Sequence, residues 1–125
     1  MISPDCEPAH KCVLVADDSD DLLDAMTDAL ELAGYSVLRA HNGKEAMDLA
    51  AGAPVGLILM DLSMPVMDGW EFLRRRRSIP QLASVPVVIM SAYASPQPAG
   101  ADCILQKPVT LDTILALAKR YTRHA

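Results

Sequence analysis

Polar side chains that can bind a cation or a phosphoryl group follow four apolar segments of this 125-residue chain. Asp17 and Asp18 follow the first apolar segment, Asp61 the third, Ser91 the fourth and Lys107 the fifth. Three carboxylates brought into a partly desolvated pocket repel one another, so we expect such a site to hold a cation. Carboxylate oxygens suit Mg²⁺, which commonly bridges a protein carboxylate to a phosphoryl oxygen, and a lysine adds one mobile positive charge. These residue types therefore predict a site that binds or accepts phosphate.

The elements that must position these side chains alternate between short apolar strands and amphipathic helices. Strands are predicted at residues 12–16, 36–40, 55–60, 85–90 and 103–106. Helices are predicted from residue 22 to about residue 33, from the Asn42 cap to about residue 51, after Asp68 and after Thr110. This alternation implies an α/β fold, a doubly wound parallel sheet with helices on both faces. Ligands of such sheets bind beyond the carboxyl ends of the strands, so the polar residues should converge there.

Composition and charge favour one globular domain and disfavour several classes of function. Hydrophobic residues make up 51% of the chain and charged residues 22%, a composition that supports an ordinary core. Residues 1–10 are expected to form a flexible tail before a single domain at residues 11–125. The net charge of -5 disfavours nucleic-acid binding. Neither a secretory signal nor a membrane-spanning segment is visible, and three cysteines suit a reducing compartment, so we expect a cytoplasmic protein.

Five separated features resemble the receiver domains of two-component response regulators. They are Asp17-Asp18, Asp61, Met64-Pro65 with Asp68-Gly69, Ser91-Ala92 and Lys107-Pro108, and the resemblance extends from residue 11 to about residue 121. It implies a flavodoxin-like sheet of five strands in the order 2-1-3-4-5. It also implies that the protein is not an enzyme, beyond self-catalysed phosphoryl transfer and autodephosphorylation. The expected partners are a histidine kinase or histidine phosphotransfer protein and an unknown downstream protein, with a monomer or weak homodimer as the oligomeric state.

The resemblance implies a role for each residue of the site. Asp61 is the phosphoacceptor, and its carboxylate attacks the phosphorus of a phosphohistidine. Asp61 and Asp18 bind Mg²⁺ directly, Asp17 binds it through water, and the backbone carbonyl of Ser63 is a further ligand. Ser91 donates a hydrogen bond to one phosphoryl oxygen, and Lys107 pairs with another. The peptide bond between Lys107 and its proline is expected to be cis.

One segment and one residue depart from the family pattern, and a further residue is expected to affect how fast the phosphoryl group is hydrolysed. Only fifteen residues, two of them prolines, separate Ser91 from Lys107, so the family's fourth helix should be shortened, distorted or absent. Ile104 stands where members commonly carry an aromatic residue, so any switch must be built differently. Tyr93 is expected to hinder the water that hydrolyses the phosphoryl group, so Tyr93→Ala should hydrolyse it faster.

Two other functions remain open. The first is an interaction module that keeps the pocket but binds its partner regardless of phosphorylation. The second is an Mg²⁺-dependent phosphohydrolase with an aspartyl nucleophile, which is disfavoured because Ser63 stands where the second acid would follow Asp61. The chain is either a stand-alone regulator or part of a longer protein.

Other polar clusters are expected to be ordinary surface or tail residues. Asp20, Asp21 and Asp24 should form the solvated acidic first turn of a helix, where its dipole favours negative charge. The four arginines at residues 74–77 should form a solvated helix end rather than a docking patch. Cysteine and histidine residues near the start of the chain do not fit a zinc pattern.

Overall fold

The computed structural model describes residues 12–92 and 100–122, which form five strands and five helices. The strands are β1 (Cys12–Ala16), β2 (Ser36–Ala40), β3 (Leu57–Asp61), β4 (Val87–Ser91) and β5 (Cys103–Gln106). The helices are α1 (Asp20–Leu32), α2 (Gly43–Gly52), α3 (Gly69–Arg76), α4 (Pro80–Ala83) and α5 (Leu111–Thr122). None of the helices in these two ranges is long and apolar enough to cross a membrane.

The five strands form one parallel sheet in the order β2-β1-β3-β4-β5, which confirms the predicted order. Strands β1, β3 and β4 are buried along their whole length. Central strands that are covered on both faces need apolar side chains at every position, which is why these segments are continuous apolar runs rather than alternating ones. Asp61 pairs with Met90 and Ser91 with Gln106, so the polar residues that end these strands lie at one edge of the sheet.

Each face of the sheet carries its own apolar core. On one face, α1 and α5 cover the sheet with a cluster that includes Leu23, Met26, Leu30, Ile114 and Leu117. On the opposite face, α2 and α3 supply Ala46, Ala50, Phe72 and Leu73 to a second cluster. The helical spacing of these residues puts them on the inner side of each helix, as the sequence pattern predicts.

Side-chain caps begin three helices where the sequence predicts them. The backbone N–H of Glu45 donates to Asn42 Oδ1 at 2.9 Å, and that of Glu71 donates to Asp68 Oδ1 at 2.9 Å. At the last helix the N–H of Thr113 donates to Thr110 Oγ1 at 3.2 Å. Each cap satisfies a backbone donor that the first turn of a helix leaves without a partner.

Two predicted strands begin later than expected. β3 begins at residue 57 rather than 55 and β4 at residue 87 rather than 85, and each ends one residue later than predicted. Pro86 has no N–H to donate to a ladder, although its carbonyl accepts a hydrogen bond from the N–H of Ile58 at 3.0 Å. Apolar composition therefore extends beyond the strand into the residues that lead to it.

The prediction that the four arginines at residues 74–77 form a solvated helix end is wrong for Arg76, which is 7% exposed. Its guanidinium donates hydrogen bonds to four backbone carbonyls, those of Leu82, Ala83, Val85 and Gly100, at 2.9–3.2 Å. Arg76 follows Phe72 by four residues, so it continues the buried side of α3. The other three arginines are exposed, as predicted. Arg76 therefore ties the end of α3 to the short helix α4 and to the residues before β5.

Three predictions concern residues that the structure does not describe, and a fourth concerns the cysteines. The tail at residues 1–10, residues 93–99 of the segment expected to hold a shortened fourth helix, and the side chain of Tyr93 are not described by the structure. Within the described ranges, Cys12 and Cys103 are free thiols, as predicted.

Candidate functional site: a carboxylate pocket at the carboxyl edge of the sheet

Three carboxylates meet at the carboxyl ends of β1 and β3. One oxygen from each of Asp17, Asp18 and Asp61 lies within 4.8 Å of the other two. Asp17 is 1% exposed and Asp61 is 6% exposed, whereas Asp18 is exposed. The pocket therefore has two buried carboxylates at its base and one at its open side.

Backbone hydrogen bonds fix Asp17 directly after β1. Its N–H donates to the carbonyl of Ala40 at 3.0 Å, which extends the pairing with β2 by one residue. The N–H of Ser19 donates to Asp17 Oδ1 at 2.9 Å. Asp17 Oδ2 is buried and has no hydrogen-bond donor among the described residues, although Lys107 Nζ lies 3.6 Å away. One oxygen of Asp17 is thus occupied by the backbone and the other faces the pocket.

The loop after Asp61 is held close to the sheet by two glycines. Gly69 N–H donates to the carbonyl of Leu62 at 2.8 Å, and a Cβ on Gly69 would lie 3.1 Å from Leu62 Cα. Gly43, the first residue of α2, donates its N–H to the carbonyl of Met67 at 2.7 Å, and a Cβ there would lie 2.5 Å from that oxygen. Only a residue without a side chain permits this approach. Asn42 is the helix cap that the sequence predicts, whereas the role of Gly43 in holding this loop is not visible in the sequence.

Lys107 reaches the pocket from the end of β5. Its Nζ lies 3.2 Å from Asp61 Oδ1 and 3.6 Å from Asp17 Oδ2. The Lys107 N–H donates to the carbonyl of Ser91 at 2.7 Å, which holds the ends of β4 and β5 together. The peptide bond from Lys107 to Pro108 is cis, as predicted. Ser91 ends β4 and is buried.

Burial and a neighbouring charge raise the pKa of Asp61 above its ordinary value. Burial is the larger cause, because it disfavours the charged form, and the negative charge of Asp17 adds to it. Two groups lower the pKa of Asp61 in opposition: Lys107, through a hydrogen bond and its charge, and a backbone hydrogen bond from Ser63. Lys107 and the Ser63 backbone therefore do not outweigh burial and the charge of Asp17 in setting the pKa of Asp61.

The residues of this pocket fit a divalent cation with oxygen ligands. They supply three carboxylates within reach of one another, and no donor in the described part of the chain forms a hydrogen bond with the buried oxygen Asp17 Oδ2. A buried carboxylate oxygen without a partner is costly, and a cation in the pocket would remove that cost. The all-oxygen set suits Mg²⁺ better than a metal that prefers nitrogen or sulfur ligands.

The structure brings together most of the residues selected from the sequence. Asp17, Asp18, Asp61 and Lys107 form the pocket, and Ser91 ends the adjacent strand. Three acids at the start of α1 stay outside it and are exposed, as predicted, although only the first two lie in its first turn: Asp20, Asp21 and Asp24. The convergence follows from the parallel sheet, whose strands all end at the same edge.

Comparisons with known proteins identify the family. A family model described as the response regulator receiver domain matches residues 13–119. The chain is 28% identical over 117 residues to the polar-differentiation response regulator DivK of Brucella anthropi, with 89% of this chain and 95% of DivK covered. The chemotaxis response regulator CheY4 of Vibrio cholerae has a similar structure, with a TM-score of 0.80, 33% identity and coverage of 88% of this chain and 97% of CheY4. The receiver domain of the Francisella response regulator 1452 has a TM-score of 0.82 at 29% identity, with coverage of 90% and 96%.

The chain belongs to the response regulator receiver domain family. Members of this family are signalling modules of two-component systems that interact with histidine kinases or phosphotransfer proteins. The resemblance found in the sequence is thereby confirmed, as is the α/β fold with strand order 2-1-3-4-5.

Proposed function

We propose that this receiver domain accepts a phosphoryl group from a phosphohistidine onto Asp61, with Mg²⁺ in the carboxylate pocket, and signals through altered protein contacts. The supporting observation is the position of the Asp61 carboxylate. It is buried at the carboxyl end of β3, 3.2 Å from Lys107 Nζ, with two further carboxylates beside it. A nucleophile, a cation to pair with a phosphoryl oxygen and ligands for a metal thus occur in one pocket.

The chemistry of the transfer needs only one covalent change at the protein. An oxygen of Asp61 attacks the phosphorus, the bond between phosphorus and the histidine nitrogen breaks, and the nitrogen keeps the electron pair of that bond. The products are an aspartyl phosphate and an imidazole, which is neutral when the other ring nitrogen of the phosphohistidine carries a proton as the bond breaks. The deprotonated form of Asp61 is the nucleophile, so protonation of this carboxyl group limits the reaction at low pH.

Lys107 and Ser91 have distinct tasks in this proposal. Lys107 pairs with Asp61 before transfer, and its flexible side chain then follows the charge to an oxygen of the bound phosphoryl group. Ser91, at the end of the adjacent strand, donates a hydrogen bond to a second phosphoryl oxygen. Such transfer depends mainly on positioning and on neutralising charge.

Mg²⁺ would be held by Asp18, Asp61 and the backbone carbonyl of Ser63, with Asp17 acting through water. When bound, it neutralises negative charge on the carboxylates and on the phosphoryl oxygens. The donor set supports this proposal, since the three carboxylates lie within reach of one ion. We place the reaction in the cytoplasm, a reducing compartment that suits the free thiols of Cys12 and Cys103.

The proposal is tested with phosphoramidate, a small donor whose P–N bond resembles that of phosphohistidine. Wild type, Asp61→Asn and Asp48→Asn are incubated with the donor and Mg²⁺, and intact mass is measured. Asp48 is an exposed acid on α2 that pairs with Lys44, which makes it a matched control for nonspecific modification of a carboxylate. We expect one phosphoryl group on wild type and on Asp48→Asn, and none on Asp61→Asn.

A chelator is added in a parallel reaction. Loss of the adduct with the chelator supports the metal requirement. Equal labelling of wild type and Asp61→Asn, or labelling that the chelator does not change, would contradict the proposal.

A further inference from the structure

The loop between β3 and α3 contains a strained turn at Val66. The φ of Val66 is 68°, and the N–H of Met67 donates to the carbonyl of Pro65 at 2.7 Å. A hydrogen bond between residues two apart, around a central residue of positive φ, defines the classic γ-turn, which is rare and strained. β-Branched residues seldom adopt such a φ, and the Val66 side chain is 79% exposed, so packing of that side chain does little to offset the strain.

Two buried methionines on either side of the turn explain why the chain bends so sharply. Met64 and Met67 are 8% and 7% exposed, and both belong to the apolar core that α2 and α3 cover. Only two residues separate them, so the chain must reverse direction between one buried side chain and the next. The γ-turn at Val66 is the consequence of this packing.

A hydrogen bond from α2 holds the far side of this turn. Gly43 N–H donates to the carbonyl of Met67 at 2.7 Å, and we call this bond the α2 brace. The approach is so close that a Cβ on Gly43 would lie 2.5 Å from that oxygen and 2.9 Å from Met67 Cγ. Asn42 Oδ1, which accepts from Glu45 N–H at 2.9 Å, fixes the first turn of α2 and with it Gly43. Strained backbone persists where surrounding structure holds it, and the α2 brace supplies that hold.

The strained turn adjoins the backbone that faces the carboxylate pocket. Ser63 directly precedes Met64, and its N–H donates a hydrogen bond to the Asp61 carboxylate. The Ser63 carbonyl and the Met64 N–H belong to one planar peptide unit, so any shift of Met64 reorients that carbonyl. In the proposed function the same carbonyl is a ligand of Mg²⁺. The geometry of the turn therefore affects the geometry of the cation site.

We propose that the α2 brace positions the Ser63 carbonyl for the cation by holding the turn at Val66 against its own strain. Gly43 is then a positioning residue, which acts through Met67 and touches neither the cation nor the phosphoryl group. This inference rests on the proposed function, since it concerns the same Mg²⁺ site. Without the brace, movement of the loop relieves the strain at Val66 and takes the Ser63 carbonyl out of position. If the strain is removed as well, the driving force for that movement is lost.

The test is the Kd for Mg²⁺, measured by titration calorimetry on variants that circular dichroism shows to be folded. Gly43→Ala should weaken Mg²⁺ binding by about tenfold, the lower end of the losses seen when a group that orients a metal ligand is changed. Adding Val66→Gly to Gly43→Ala should bring the Kd back to within about threefold of wild type, because glycine adopts a positive φ freely. Val66→Gly alone should keep the Kd within about twofold and raise the urea unfolding midpoint by about 0.5 M.

Two further variants separate positioning from stability. Asn42→Ala removes the cap of α2 without adding a Cβ at Gly43, so it serves as the test if Gly43→Ala does not fold. It should weaken Mg²⁺ binding by about threefold, because the first turn of α2 loses its cap. Arg76→Ala loses contacts at the opposite end of α3, so it lowers stability but should leave the Kd within about twofold, since distant sites act independently.

Three results would overturn this inference alone, provided that wild type binds Mg²⁺. One is a wild-type Kd in both Gly43→Ala and Asn42→Ala, and another is an equal loss of affinity in Arg76→Ala, which would trace the effect to global stability. The third is a double variant, Gly43→Ala with Val66→Gly, that binds Mg²⁺ as weakly as Gly43→Ala. Absence of Mg²⁺ binding by wild type would instead overturn the proposed metal site, and this inference with it.

Discussion

Replacing Arg76 with alanine should destabilise the fold far more than replacing its exposed neighbour Arg75. The Arg76 guanidinium donates to the carbonyls of Leu82, Ala83 and Val85, which end α4 and lead into β4, and to that of Gly100. Without it, these acceptors lose a charged donor, although the Leu82 carbonyl keeps a hydrogen bond from the N–H of Val85 at 3.2 Å. The segment between α3 and β4 therefore depends on one side chain.

The magnitude follows from how well water can replace the guanidinium. The bond to the Leu82 carbonyl is buried, and since this carbonyl keeps its bond from the N–H of Val85, the loss is that of one hydrogen bond to a charged group, about 1.5 kcal/mol. The other three bonds are partly buried, so water can reach those carbonyls and each loss costs about 0.5 kcal/mol. The expected loss in free energy of unfolding for Arg76→Ala is therefore about 3 kcal/mol, within the range seen when one partner of a buried charged network is removed.

Equilibrium unfolding in urea, followed by Trp70 fluorescence and by circular dichroism, measures this loss. With a slope of about 1.5 kcal/mol per molar urea, Arg76→Ala should lower the unfolding midpoint by about 2 M. Arg75 is 58% exposed and pairs with Glu71 on the surface, so Arg75→Ala should cost less than about 0.5 kcal/mol. A loss below about 1 kcal/mol for Arg76→Ala, or equal losses for the two variants, would refute the reasoning.

Three further predictions concern the pocket and its loop. The pKa of Asp61 is raised in the folded protein, so the folded state binds the proton of Asp61 more tightly than the unfolded state does. As the pH rises from the ordinary carboxyl value of 3.8 through the raised pKa, wild type therefore loses stability relative to Asp61→Asn. Urea unfolding without Mg²⁺ should thus show Asp61→Asn gaining stability over wild type between pH 3.5 and pH 7, and a constant difference would contradict this. Gly43→Ala should cost about 2 kcal/mol, because its Cβ would meet the Met67 carbonyl at 2.5 Å, whereas Gly52→Ala, with nothing within 4 Å, should be neutral or stabilising in the same assay. Mg²⁺ at about a hundred times its Kd should stabilise wild type by about 2.7 kcal/mol in thermal unfolding, and an equal gain in Asp18→Asn would exclude Asp18 as a ligand.

The sheet, and the edge where its polar residues meet, could be predicted from the sequence. Strand burial determines the residue types of each strand, and the shared strand direction determines where the strands end. Continuous apolar runs identify strands covered on both faces, and parallel strands place the residues that follow them at one edge. This is sufficient to bring Asp17, Asp61 and Lys107 together before any distance is known. The first residue of a strand is harder to predict from the sequence. Residues 55 and 56 are apolar or small, as strand residues often are, yet they lie before the start of β3.

The roles of Arg76 and Gly43 were not predicted, for different physical reasons. Charge alone makes the four arginines at residues 74–77 look equivalent, although the apolar stripe through Phe72 and Leu73 points to Arg76 as the inward one. Gly43 acts through a close approach to Met67, and the sequence holds no sign of a contact between residues so far apart. The helix α4 has four residues, too few for a helical pattern to be visible.

The most direct test of the central claim is to locate the phosphoryl group on the chain. The protein is labelled with phosphoramidate and Mg²⁺, the acyl phosphate is reduced with borohydride, and the digested peptides are sequenced by mass spectrometry. The proposed function predicts reduction at Asp61 alone, with the exposed acids of α1 unmodified. Reduction at another carboxylate, or at several without preference, would contradict the assignment of Asp61 as the phosphoacceptor.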